Sequence, residues 1–107
     1  MCLPAVIDAE RWTVDRVCDH LDHVVELVGI DHVALGGDFT RQLVETMPVV
    51  TPSSQRLGTP LGAAIEGLSG PEHWPALLER LRARGWADDA LAAAAGGNLV
   101  RLLRRAL

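Results

Sequence analysis

The chain has no tyrosine, one phenylalanine and two cysteines among its 107 residues. Each scarcity removes a class of protein. With so few aromatic residues the core must be built mostly of Ala, Leu and Val, and the tryptophans Trp12, Trp74 and Trp86 read as packing residues, too scattered for a stacking platform. Cys2 and Cys18 are too few and too unpatterned for a disulfide scaffold or a zinc knuckle. No apolar run approaches the roughly 18 residues that a membrane span takes. The N-terminus shows no charged region followed by a hydrophobic one, so no signal peptide is expected and a cytoplasmic location is. An excess of basic charge is also missing. The net charge of −4 gives the whole chain no field for nucleic acid or an anionic membrane surface. Arg80, Arg82, Arg84, Arg101, Arg104 and Arg105 cluster late, at spacings that read as solvated helix faces.

What is present is globular in character: 49% hydrophobic and 22% charged residues, at a length that makes one domain or part of one. Residues 2–7 read as a short buried strand, which Pro4 suits to an edge or an end. From Val14 a helical period sets in, with Val14, Val17, Cys18, Leu21, Val24, Val25 and Val28 on one apolar stripe. Asp15, Asp19, Asp22, His23 and Glu26 lie opposite. Thr13 is the expected N-cap and Gly29 the expected stop. Residues 30–37 read as a second buried strand, which makes the first third a β-α-β unit with parallel strands.

Residues 39–70 then form a long loop of little periodicity, of the kind that is functional or disordered. A helical tail over 71–107 follows. Its first helix carries Trp74, Leu77, Leu78 and Leu81, opens near Pro75 and ends at Gly85. An Ala-rich helix spans 88–95, Gly96 and Gly97 act as a hinge, and a last helix runs over 98–107. Two strands apolar on both faces expect neighbours that this chain does not supply, so the organisation predicts a piece of a larger α/β fold.

Asp38 is the leading candidate for chemistry. It follows two glycines just past the carboxyl end of the second predicted strand, where α/β folds keep their ligands. A carboxylate there can act as a general base or orient a metal-bound water, and it can equally cap the loop that follows. On position alone both readings stand. His20 and His23 are spaced to chelate zinc, although the helical projection puts His23 on the polar face and His20 at the edge of the stripe. His32 is expected to be buried and hydrogen-bonded within the strand, and His73 to be a surface residue. No phosphate-loop pattern follows Gly36-Gly37.

The run His20-Leu21-Asp22-His23-Val24 through Gly29-Ile30-Asp31-His32-Val33-Ala34-Leu35-Gly36-Gly37-Asp38-Phe39 resembles the membrane (renal) dipeptidase family, peptidase family M19. The closing run from Pro75 through Arg84-Gly85-Trp86 to Gly96-Gly97-Asn98-Leu99-Val100-Arg101 is similar to the end of the same family. The resemblance implies an α/β fold, the C-terminal part of a TIM-like (β/α)8 barrel comprising its last two strand–helix units and the C-terminal helices. It implies that Asp38 is the active-site aspartate at the end of the eighth strand, facing a water between two zinc ions while a dipeptide is cleaved. Phe39, Thr40 and Arg41 would then be the residues nearest the substrate, with Thr40-Arg41 in place of the family's Asp-Gly.

The family's metal ligands come from earlier strands that are not in this sequence. No metal ligand is therefore assigned in this chain, and zinc binding by the chain alone is not expected. Without a metal to acidify water and polarise the peptide carbonyl, the isolated chain is expected to be inactive. Two other readings remain. One is a non-enzymatic module that self-associates or complements a partner supplying the rest of a barrel. The other is a small metal-binding protein that uses Asp19, His20 and His23.

Overall fold

A computed structural model describes residues 12–37, 39 and 65–107. Helix α1, Val14–Val28, forms where the apolar stripe predicts it. The Thr13 hydroxyl accepts from the Arg16 amide at 3.3 Å, and Asp15 in the first turn complements the helix dipole. At the other end the Gly29 amide donates to the Val25 carbonyl. Only the first half of the stripe is covered. Val17 and Cys18 are buried, whereas Val24 and Val28 are 40% and 51% exposed.

The second predicted strand is not found. Residues Ile30–His32 make a single 3₁₀ turn, and 33–37 continue without joining a ladder. Among the described residues there is no strand, only isolated bridges from Thr13 to Glu66 and from Ile65 to Leu68. A parallel strand takes its hydrogen bonds from neighbours, and here the helical tail takes their place. The Leu35 amide donates to the Ala94 carbonyl at 3.0 Å, and the Asn98 side-chain amide donates to the carbonyls of Ile30 (2.7 Å) and Val33 (2.8 Å). Burial follows the new path: Val33 is buried, and His32, expected inside, is exposed. The first predicted strand, residues 2–7, lies outside the described residues, as does most of the long loop.

The described end of that loop does more than connect. The Glu66 amide donates to the Trp12 carbonyl at 3.1 Å, and the Leu68 amide closes a turn onto Ile65 at 2.9 Å. This hook drives Ile65 and Leu68 into the core, where both are almost fully buried.

Helix α2, Trp74–Ala83, follows a 3₁₀ turn over Pro71–His73 and has its proline in the first turn as expected. It contributes Leu77 and Leu81 to a core with Val17, Cys18, Ile65, Leu68 and Leu91. Trp12, Trp74 and Trp86 pack around this cluster, as the sequence suggests. Helix α3, Asp88–Ala92, runs into a wide turn over Ala93–Gly97, where Gly96 breaks the helical path at φ 158°. Helix α4, Asn98–Ala106, leaves in a new direction. The predicted hinge is therefore present, with its kink at Gly96. No helix among the described residues is long and apolar enough to cross a membrane.

Among the described residues Asn98 is the buried polar one, 8% exposed. Asn98→Ala removes the side-chain donor from the Ile30 and Val33 carbonyls, of which Ile30 keeps the Val33 amide, and should cost about 1–3 kcal/mol. The fall in urea midpoint measures it, and a change within experimental error would count against the clamp.

Candidate functional site

Asp38, Thr40 and Arg41 lie outside the described residues, and their flanks, Gly37 and Phe39, lie within them. The Phe39 ring meets Trp74 at 5.3 Å between centroids, tilted by 58°, a geometry that aromatic pairs favour. A cleft of about 280 Å³ opens beside this pair, lined by Leu35, Gly37, Trp74, Leu78 and Ala95. The segment that leads into Asp38 is thus anchored by Asn98 at one end and by an aromatic contact at the other.

The densest charged constellation lies elsewhere, between α1 and the end of α2. Asp15, Asp19 and Asp22 recur along one side of α1, and Arg84 reaches all three. Its Nη1 donates to Asp19 Oδ1 at 2.8 Å and to Asp22 Oδ2 at 2.9 Å, while Nη2 donates to the Asp15 carbonyl at 3.1 Å. Arg80 pairs with the Asp15 carboxylate at 3.2 Å, Arg16 with Asp19 at 3.1 Å, and the Trp86 indole donates to Asp22 at 2.7 Å.

The backbone makes this convergence possible. The Trp86 amide bonds to the Leu81 carbonyl and the Gly85 amide to that of Arg82, a Schellman ending with Gly85 at φ 100°. Arg84 is thereby aimed across at α1, and Trp86 is folded back onto the core. On the far side of α2, Arg82 pairs with Asp88 at 2.9 Å and with Glu79.

These contacts set the local protonation. Hydrogen bonds from Arg84, then from Arg16, hold the Asp19 carboxyl below its ordinary value, and those from Asp19 and Asp22 push Arg84 further up. Cys18, beneath the cluster, is fully buried, and burial pushes its thiol above the ordinary value. The carboxylates are therefore committed to guanidinium. Among the described residues no three His, Cys, Asp or Glu side chains come together to hold a metal. His20 and His23 are exposed on α1, and the Nδ1 of half-buried His73 lies 3.9 Å from Glu72.

The sequence reading placed Arg84 on a solvated face and gave Asn98 no role. The missed signals were Asp15, Asp19 and Asp22 at offsets of four and then three, facing an Arg-Gly helix ending, and an Asn directly after a Gly-Gly hinge.

A second groove, of about 270 Å³, runs between residues 31–34 and α4. Arg101 crosses it to the Asp31 carbonyl and donates to Asn98 Oδ1 at 3.1 Å.

The profile of the family described as "Membrane dipeptidase (Peptidase family M19)" matches residues 2–52, just under half of the chain. Dipeptidase 3 of Homo sapiens is 28% identical over 92 residues, covering 86% of this chain and 15% of its own length. Dipeptidase verJ of Clonostachys rogersoniana is 30% identical over 96 residues, 90% of this chain and 20% of its own length. Dipeptidase aclJ of Aspergillus oryzae is 31% identical over 96 residues, with shares of 90% and 18%. The chain thus spans a fifth or less of the length of these relatives. No solved structure matches it.

Two outcomes test the charged cluster. Arg84→Ala should lower stability by about 1–2 kcal/mol, and Arg80→Ala, which removes one exposed pair, by no more than about 0.5 kcal/mol. A folded-state carboxyl held below its unfolded value stabilises fully above that unfolded value, and the gain is lost as pH falls through the lowered one. The gap in urea midpoint between the parent chain and Arg84→Ala should therefore be widest near neutrality and close below about pH 4. A gap that persists unchanged into acid would assign Arg84 to packing instead.

Proposed function

We propose, from the chain's relationship to the membrane dipeptidases of peptidase family M19, that it is the C-terminal part of a zinc-dependent hydrolase that cleaves dipeptides and is inactive when isolated. The observation that carries this reading is the similarity to proteins named dipeptidases over about nine-tenths of the chain. In this reading the chain supplies the last two strand–helix units of a TIM-like barrel and the helices that close it, about a quarter of the eight-unit ring.

Asp38 is the catalytic residue of this proposal. In this reading it is the counterpart of the family's active-site aspartate, and its carboxylate takes up and returns a proton as the peptide bond opens. Thr40-Arg41 stands in place of the family's Asp-Gly, which puts a bulkier and cationic pair next to Asp38 in the sequence. The described side chains do not fit a zinc pair, because the α1 carboxylates are spent on Arg84, Arg80 and Arg16 and no three donors converge. The zinc ions of this reading are held by ligands outside this chain.

The isolated chain, supplied with zinc and a panel of dipeptides, should show no turnover above buffer. Turnover that Asp38→Asn abolishes would overturn the inactivity. A chimera tests the catalytic assignment: a full-length relative whose matching segment is replaced by residues 1–107. It should hydrolyse dipeptides and lose about 100-fold or more in Asp38→Asn. A folded, active chimera indifferent to Asp38→Asn would remove Asp38 from the chemistry.

A further inference from the structure

The groove between residues 31–34 and α4 holds an arginine that is positioned but not neutralised. Arg101 is tied to the Asp31 carbonyl and to Asn98 Oδ1, both through Nη2. Neither acceptor carries a net charge. Among the described residues its Nε and Nη1 have no partner, so a charged fork is held at the groove with N–H donors to spare. Arg105 lines the same groove one turn further along α4 and has no ion pair among the described residues. Like charges at this spacing repel each other, and an anion set between them removes that penalty. A carboxylate suits the pair, because its two oxygens accept from the planar guanidinium fork.

The rest of the lining narrows the occupant. Val33, Ala34, Leu99 and Leu102 supply apolar walls. Asp31 brings an acidic side chain to the same groove, with no ion pair of its own among the described residues, and His32 stands next to it. A phosphate or a dicarboxylate would meet repulsion from Asp31, whereas a ligand that carries its own cation pairs with it. The cavity of about 270 Å³ lies below the usual range of drug-sized pockets and suits a small metabolite.

We infer that this groove binds a free α-amino acid with an apolar side chain. Its carboxylate rests on Arg101 and Arg105, its ammonium on Asp31, and its side chain against Leu99 and Leu102. The inference is independent of the dipeptidase reading, since it uses neither Asp38 nor a metal.

Titration of the full chain with L-leucine, followed by amide chemical shifts, tests it. Saturable shifts centred on residues 31–34 and 98–105 are expected, with a Kd of about 1 mM or tighter. Arg105→Ala should weaken binding about fivefold or more, with helical circular dichroism unchanged because Arg105 is exposed. Asp31→Asn keeps the backbone carbonyl that Arg101 grips. It should weaken leucine by a similar factor and leave 4-methylpentanoate, which lacks the ammonium, bound as tightly or more so. Absence of saturable shifts up to about 20 mM leucine overturns the proposal. So does leucine binding that is indifferent to Arg105→Ala or to Asp31→Asn. Inorganic phosphate that binds as tightly as leucine would overturn it as well, by making the groove a plain anion patch.

Discussion

The described fold turns on a single guanidinium. Arg84 gathers Asp19, Asp22 and the Asp15 backbone of α1 onto the end of α2, and the two helices pack their apolar faces on either side of Cys18 and Leu81 beneath it. Isolated surface pairs stabilise little, since each must order two long side chains. Here one ordered arginine serves several acceptors, and its own backbone is fixed by the Gly85 ending. The entropy of holding it is shared among all its bonds. Trp86 completes the arrangement by joining the charged layer to the apolar one, with its indole N–H on Asp22 and its ring against the core.

From that corner the molecule loses cover in one direction. The start of α1, the Ile65–Leu68 hook and α2 enclose the core, whereas the end of α1 and nearly all of α4 face outward with apolar side chains. Asn98 explains how α4 holds this unusual orientation. Its amide has to reach two backbone carbonyls, and satisfying them fixes which side of α4 faces in. The side of α4 that faces in is the one that carries the polar contacts of Asn98 and Arg101.

Local signals in the sequence were read well where the structure they specify is local. Thr13, the α1 stripe, Pro75, Gly85 and the Gly96 hinge each fix a helix start, face or stop through contacts within a few residues, and each is found. The predicted strand over 30–37 failed because a strand is a relation between segments. Its apolar run was real, but the helical tail took its hydrogen bonds. Ile65 and Leu68 were hidden for a related reason: their burial depends on a hook onto Trp12, more than fifty positions away. At the candidate site, the Gly-Gly-Asp run and its resemblance made Asp38 conspicuous. The arginine and asparagine that hold the surrounding elements looked like ordinary surface and hinge residues, since their partners lie more than sixty positions distant.

The Asn98 clamp also separates path from composition. It grips the carbonyl oxygens of Ile30 and Val33, and Arg101 grips that of Asp31, so none of these contacts reads a side chain. Every residue offers a carbonyl. Asp31 and His32 could therefore be exchanged for other residues with the track toward Gly36-Gly37 unchanged, provided their side chains remain outside. The chain keeps its geometry in one amide and leaves the neighbouring surface free to take on a different charge or hydrophobicity.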